Sequence, residues 1–290
     1  MANIIIPIII LLIAVLSLYV YKESTGYRIV KYSISDPRVK KDNLKIVFIS
    51  DLHNNQYGDN NALVMKDIDE IKPDFICIGG DILTASGEKW AGYSRAVSFI
   101  EQLASKYKVY YGMGNHEARL KRLAFKFPEG TYENFSKELD NIGTPLLDDA
   151  CINLNEINVD LYGLNLEHDF YRKVITKPFP SDHLDKKLGT IDKEKFSILL
   201  AHNPEHFKQY ADWGADLVLS GHVHGGIIRL PFLGGVVSPA FKIFPKYDGG
   251  LFLEKNSRMI LSRGLGSHTI PIRVNNKAEL VVVEITGQSN

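Results

Sequence analysis

The sequence predicts a layered α/β domain carried on one N-terminal transmembrane helix, and three observations predict it. Short apolar runs of β-rich composition alternate with stretches of helical periodicity. Residues Ile4 to Tyr21 form an almost unbroken aliphatic run without charge. Five of the later apolar runs end in turns whose polar residues come from one narrow set: Asp, Asn and His.

The totals set bounds on this reading. A chain of 290 residues, 45% hydrophobic and 23% charged, is long enough for a sizeable core and favours one large domain. Lys+Arg and Asp+Glu both number 34, so the net charge is zero. That removes any global electrostatic argument for nucleic acid as a partner. Cys77 lies in the run Phe75-Ile76-Cys77-Ile78 and reads as a buried free thiol; neither it nor Cys151 has metal-ligand spacing.

The first run, as a helix, reaches about 27 Å, close to one hydrocarbon core. No basic segment precedes Ile4 and no small-x-small cleavage site precedes Lys22, which favours a retained single-pass anchor over 1–21 rather than a cleaved signal. Lys22, Arg28, Lys31, Arg38, Lys40 and Lys41 follow it, and the positive-inside rule would put the body in the cytoplasm, a bias that folded domains can override. Residues 22–43 read as a linker or a first edge strand (Tyr27 to Ile34). From Leu44 the repeating pattern sets in and defines a domain over 44–290.

Leu44 to Ile49 is a strand ending in Asp51-Leu52-His53. Val64, Ile68 and Ile71 recur at helical spacing until Pro73 stops the helix. Asp74 to Ile78 is a buried strand ending in Gly79-Gly80-Asp81. A helix over 90–106 follows, then Val109-Tyr110-Tyr111 leading to Gly114-Asn115-His116-Glu117. Ala150 to Leu164 alternates around Asn155-Glu156 as a hairpin. Residues 165–195, with Pro178 and Pro180, read as a long functional or mobile loop. Phe196 to Leu200 ends in His202, and Asp216 to Leu219 in Gly221-His222-Val223-His224-Gly225-Gly226. Met259 to Gly266 and Leu280 to Thr286 close the sheets.

Taken singly, each of these polar turns is an ordinary turn, helix cap or hydrogen-bonded histidine. Taken together, Asp51, His53, Asp81, Asn115, His116, His202, His222 and His224 all follow strands, where ligands of open α/β sheets collect. The types suit borderline divalent ions such as Mn, Fe and Zn. Their number exceeds what one ion needs and fits two, about 3.5–4 Å apart, sharing a carboxylate.

In order and spacing these motifs resemble the calcineurin-like metallophosphoesterases over about 44–286. The resemblance implies a four-layer αββα sandwich of two mixed β-sheets flanked by helices. Carried over by position, Asp51, His53, Asp81 and His224 hold one metal; Asp81 as the bridge, Asn115, His202 and His222 hold the other; His116 faces the substrate. Many members carry Asp or Arg three residues after the Asp81 position, where this chain has Thr84. The N-terminal span, the Gly221–Gly226 motif and Ser262-Arg263-Gly264-Leu265-Gly266 with Pro271 and Arg273 resemble the membrane-anchored branch, which includes UDP-2,3-diacylglucosamine pyrophosphatases and the group termed transmembrane protein with metallophosphoesterase domain.

Two divalent cations there, with Mn preferred, would give hydroxide from a shared water near neutral pH. His116, steadied by Glu117, is the candidate general acid. Arg229, Lys242, Lys246, Arg263 and Arg273 read either as phosphate-binding cations or, equally, as solvated surface charges. Pro231, Phe232, Leu233, Val236, Val237, Phe241, Ile243 and Phe244 read either as core or as a surface for an acyl chain or the bilayer. The expected function is hydrolysis of a phosphodiester or pyrophosphate, on a lipid-linked substrate such as a UDP-diacylglucosamine-type pyrophosphate at the membrane. The alternatives are a phosphomonoesterase or protein phosphatase, and a non-catalytic metal-bound scaffold. A nuclease would need a basic groove that a net charge of zero does not advertise.

Overall fold

The computed structural model describes residues 2–85, 93–171, 179–230, 233–236, 243–267 and 271–288. Helix α1 (Ala2–Thr25) comes first, and its apolar residues from Ile4 to Leu18 are exposed. It is long and apolar enough to cross a bilayer. Strand β1 (Tyr27–Ser35) follows, then β2 (Leu44–Ile49), α2 (Ala62–Ile71), β3 (Phe75–Ile78), α3 (Tyr93–Ala104) and β4 (Lys108–Gly112). Helices α4 (Asn115–Arg122) and α5 (Thr131–Asn141) lead to β5 (Leu146–Leu147), β6 (Ala150–Leu154) and β7 (Val159–Leu164). Then come α6 (His183–Leu188), β8 (Phe196–Ala201), α7 (Phe207–Trp213) and β9 (Leu217–Ser220). The chain ends with β10 (Arg229–Leu230), β11 (Gly234–Gly235), β12 (Gly250–Glu254), β13 (Ser257–Leu261) and β14 (Ala278–Thr286).

Two six-stranded mixed sheets form, in orders β1-β14-β2-β3-β4-β5 and β12-β13-β9-β8-β7-β6. Strands buried on both faces read as continuous apolar runs, and their side chains separate with period two. Ile46 and Phe48 of β2, with Phe75 and Cys77 of β3, enter the core between the sheets; Val47, Ile49, Ile76 and Ile78 face the layer of α2, α3 and α5. On the far side, Val218 and Leu199 pack under α6 and α7 with Phe207 and Tyr210. The result is the expected αββα sandwich.

Helix α2 ends as its pattern predicts, with Lys72 in the left-handed region before Pro73. The 155–156 hairpin forms, β6 pairing antiparallel with β7. The edge strand also forms and pairs with β14 along its whole length. Residues 90–92 of the expected third helix lie outside the described residues. Helices α4 and α5 and strands β5, β10, β11 and β12 go beyond the expectation, and α6 (His183–Leu188) corrects the reading of residues 165–195 as an unbroken loop. In α5, Thr131, Phe135 and Leu139 recur every fourth residue and are buried, a periodicity legible in the chain. Helix α4 is hidden because its first residue, Asn115, belongs to a polar motif that reads as a turn.

Candidate metal centre

Strands β2, β3 and β4 of the first sheet and β8 and β9 of the second end at one edge of the sandwich. Backbone hydrogen bonds stitch the turns that follow them: Asp51 N to Gly80 O at 3.0 Å, His53 N to Asp81 O at 3.1 Å and Gly221 N to His202 O at 3.1 Å. Asp51, His53, Asp81, His222 and His224 all have positive φ, between 50° and 75°. Side chains rarely adopt that region, at a cost of about 1–3 kcal/mol each, and such strain gathers at functional sites. Here it turns each side chain back over the strand end it has just left. Two glycines leave room for the carboxylates. A Cβ on Gly221 would lie 2.2 Å from Asp51 Oδ2, and one on Gly114 2.3 Å from Asp81 Oδ1.

The side chains converge in overlapping groups, each with its donor atoms within 4.8 Å of one another: Asp51, His53 and His224; Asp81, His202 and His222; and His53, Asp81 and His116. His53 Nε2 lies 3.1 Å from His224 Nε2 and 3.9 Å from both Asp51 Oδ1 and Asp81 Oδ2. His202 Nε2 lies 3.1 Å from Asp81 Oδ2 and 3.7 Å from Asp51 Oδ1. Asp81 thus stands between the two groups. The two histidines flanking Val223 fall into different groups. Asn115 opens α4 beside His116, whose N–H donates to Asp81 Oδ1 at 2.8 Å.

The opposite ring nitrogens separate two kinds of histidine. His202 Nδ1 meets Gly79 O at 2.7 Å and His224 Nδ1 meets Gly266 O at 3.0 Å. His53 Nδ1 meets Thr84 Oγ1 at 3.2 Å. A carbonyl can only accept, so His202 and His224 carry hydrogen on Nδ1 and turn Nε2 inward, the atom left to meet a cation when the ring is neutral; Thr84 can hold His53 the same way. This is the outer support of metal-binding imidazoles. His116 is wired in reverse. The Ala85 N–H donates to its Nδ1 at 2.8 Å, which assigns the proton of the neutral ring to Nε2, 4.0 Å from Asp81 Oδ2.

Two carboxylates and four imidazoles, three of the latter (His53, His202 and His224) held by a partner on the outer ring nitrogen, fit a pair of divalent cations. Thr84, unremarkable as sequence, acts as a support for His53. Thr84→Val is expected to weaken the binding of one ion about 10–100-fold, the usual scale of such support; Mn titration monitored by calorimetry measures it.

Charge in the cluster is strongly organised. Burial pushes Asp81 toward the neutral acid, but His202 and His116 overcome it and hold the carboxyl well below its ordinary range. Burial likewise disfavours charge on His202, yet Asp81 and then Asp51 raise its pKa to about 10. Burial, reinforced by the His202 charge, lowers His222 to about 3, and burial also lowers His224. The raised His202 favours the fold fully below its ordinary value of 6.5, and that contribution fades as pH rises through about 10. A cation requires the neutral ring and displaces this proton. Affinity for Mn is therefore expected to rise about tenfold per pH unit between 7 and 9, with one proton released, read by calorimetry in buffers of different ionisation enthalpy.

Several sequence expectations are corrected. Glu117 does not hold the His116 ring nitrogen. Its Oε2 accepts from Asp81 N at 2.9 Å and Gly114 N at 3.0 Å, and its Oε1 from Tyr111 at 2.6 Å. Burial and the Asp81 charge raise its pKa to about 7. Three candidate phosphate-binding arginines hold loops instead. Arg229 Nη1 pairs with Asp248 at 3.1 Å, Arg263 Nε with Glu279 at 3.2 Å, and buried Arg273 donates to the carbonyls of Asn276, Arg263 and Gly266. A guanidinium's five fixed donors suit a cage of loop carbonyls as well as they suit phosphate. Lys246 is exposed and lies over the Tyr247 ring; Lys242 is outside the described residues.

Of the apolar segment, Leu233, Ile243 and Phe244 are exposed at 64%, 71% and 55%, so they are not core. Pro231, Phe232, Val237 and Phe241 lie outside the described residues, as does Pro178. One lining residue carried no signal beyond its place in the long 165–195 segment. The Tyr171 ring stands edge-on to His222, centroids 5.1 Å apart.

Comparison with known proteins gives the same direction. Residues 44–226 match the family described as calcineurin-like phosphoesterase. The chain is 29% identical over 250 residues to the metallophosphoesterase YkuE of Bacillus subtilis, covering 83% of this chain and 78% of that one. It is 28% identical over 246 residues to a metallophosphoesterase of Helicobacter pylori, covering 83% of this chain but 60% of that one. It is 25% identical over 276 residues to the phosphodiesterase YaeI of Escherichia coli, covering 91% and 90%.

Proposed function

The chain belongs to the calcineurin-like phosphoesterase family, and from that premise we propose that it is a phosphodiesterase or pyrophosphatase whose substrate is linked to lipid. In this reading Asp51, His53, Asp81 and His224 hold one divalent ion, and Asp81, Asn115, His202 and His222 hold the other, with Mn preferred. The opposed wiring of the histidines carries the proposal. Inward Nε2 atoms on His202 and His224, each backed by a carbonyl at Nδ1, suit ligands, and an Nε2–H on His116 suits a donor to the substrate.

When bound, the two ions would supply Lewis acidity toward phosphoryl oxygens and lower the pKa of the attacking water. The protein's own part is positioning and proton management. Asp81 fixes the start of α4 through His116 N, and Ala85 fixes the His116 ring, so Nε2–H is presented to the leaving oxygen. Glu117 ties the Asp81 turn to the Gly114 turn, so the metal side and the acid side move together. Tyr171 covers the His222 side.

Two observations support a lipid-linked substrate. Helix α1 has the length and apolarity of a membrane span. Its last turn is wired to the site, since Arg273 N donates to Ser24 Oγ at 2.9 Å and the Arg273 guanidinium donates at 2.6 Å to Gly266 O, the carbonyl that also holds His224. The phosphodiesterase name of the E. coli relative supports the diester over the monoester. The test is hydrolysis of bis-p-nitrophenyl phosphate, p-nitrophenyl phosphate and a UDP-linked lipid, side by side with Mn. Preference for the diester and the lipid supports the proposal; preference for the monoester, or equal rates on soluble diester and lipid, overturns it.

A further inference from the structure

Beyond the two sheets, a small ribbon runs on directly from the Gly225-Gly226 turn. Ile228 bridges Val274 in parallel, Val236 N donates to Ile228 O at 2.9 Å, and Phe244 N to Val236 O at 2.9 Å. Four short segments, 272–274, 227–230, 234–236 and 243–244, are thereby joined side by side. Their polarity is inverted relative to a water-facing surface. Arg229 turns inward to Gly225 O and Asp248, while its neighbours Ile228 and Leu230 are 41% and 43% exposed. Arg273 is buried, while Ile272 is 46% exposed.

Successive side chains on an extended strand alternate sides, and parallel partners share one. Ile228, Leu230, Ile272 and Val274 therefore lie on a single face, and Leu233, Ile243 and Phe244 extend the exposed apolar surface. Large aliphatic and aromatic side chains exposed together on one paired ribbon mark a contact site.

Its position says what it contacts. The backbone of Arg273 is bonded to Ser24 in the last turn of α1, so the ribbon begins where the apolar helix ends. Exposed Lys22 and the Lys277 side chain, whose Cε would lie 2.9 Å from a Cβ on Gly26, stand at the same junction. Cations at the end of an apolar span, beside exposed aliphatics, match the headgroup boundary of an anionic leaflet.

We propose that this ribbon is a second membrane contact, resting on the bilayer interface beside the anchor and holding the metal-centre edge against the lipid headgroups. The inference rests on the reading of α1 as a membrane span. It adds that the catalytic edge is docked on the bilayer and not free to swing on a tether.

Cys77 is buried and Cys151 exposed on β6, at the opposite edge of the second sheet from β12. The full-length protein, one chain per nanodisc of phosphatidylcholine and phosphatidylglycerol, carries a fluorophore at Cys151 or, in a Cys151→Ser background, at Leu12→Cys, Leu233→Cys or Ile243→Cys. Lipids bearing nitroxide on the acyl chain should quench position 12, near the middle of the span, and remove about half the fluorescence at 233 and 243, as for groups ~5–10 Å into the boundary, and none at 151. Quenching at 12 with 233 and 243 behaving like 151 overturns the proposal. Shielding of 233 and 243 from aqueous iodide without lipid quenching also overturns it, in favour of a protein partner. No quenching at 12 overturns the anchor reading itself.

Discussion

His116→Ala is expected to lower kcat at least about a hundredfold with both ions still bound, the scale of losing a general acid. The reason is the wiring of the ring. Its Nδ1 accepts from Ala85 N–H, so neutral His116 has no lone pair free to replace a lost ligand, and its Nε2–H faces Asp81 and the cluster. Removing it leaves the inward nitrogens of His53, His202 and His224 where they were. The deficit should shrink as the leaving group improves, because a good leaving oxygen needs no proton. Rates are measured on a series of substituted phenyl phosphodiesters, alongside metal content. Unchanged turnover on a poor leaving group would exclude the acid role. His116→Gln keeps an N–H without a transferable proton, so near-native rates in that variant would reduce the role to a hydrogen bond.

Asp81→Ala is expected to lower bound metal from two ions to at most one per chain and turnover by about a thousandfold or more, the scale of losing preorganised charge stabilisation. Asp81 Oδ2 lies 3.1 Å from His202 and 3.9 Å from His53, which fall in different ligand groups, and Oδ1 holds the first N–H of the His116 turn. His202 owes its raised pKa first to this carboxylate, against burial. Without it the pKa of His202 falls, with burial opposed only by Asp51 and the Gly79 carbonyl. Metal analysis of the purified variant decides the matter: two ions still bound would disprove the bridge, whatever happens to the rate.

Much of the fold was legible because the two periods are local. Val64 and Ile68 mark one face of α2, and the run Phe75-Ile76-Cys77-Ile78 marks a strand covered on both sides. The site was legible for a related reason. Asp51, His53, Asp81, His202, His222 and His224 each come within a few residues of the end of an apolar run. The elements missed had weaker local signals: α4 starts inside a polar motif, and β12 follows a Gly- and Pro-rich stretch.

The three arginines were misplaced for a different reason. Arg229, Arg263 and Arg273 follow the last histidine motif in the chain, and nothing local distinguishes an arginine that meets phosphate from one that ties loops. Only the fold brings Asp248, Glu279 and the carbonyl of Gly266 to them. The same holds for Thr84, which reaches His53 across 31 residues, and for Tyr171, which meets His222 only when the long loop is in place.

By itself, then, the sequence determined the layered α/β class, the apolar N-terminal helix and the residue types that gather at the strand ends. These follow from side-chain periodicity and from chemistry carried within a few positions. The tertiary structure decided which histidines turn Nε2 inward behind an Nδ1–H held by a carbonyl, and which one accepts at Nδ1 instead. An imidazole's tautomer is set by the partner of its other nitrogen, and those partners, Gly79, Ala85 and Gly266, arrive from loops that only folding brings together.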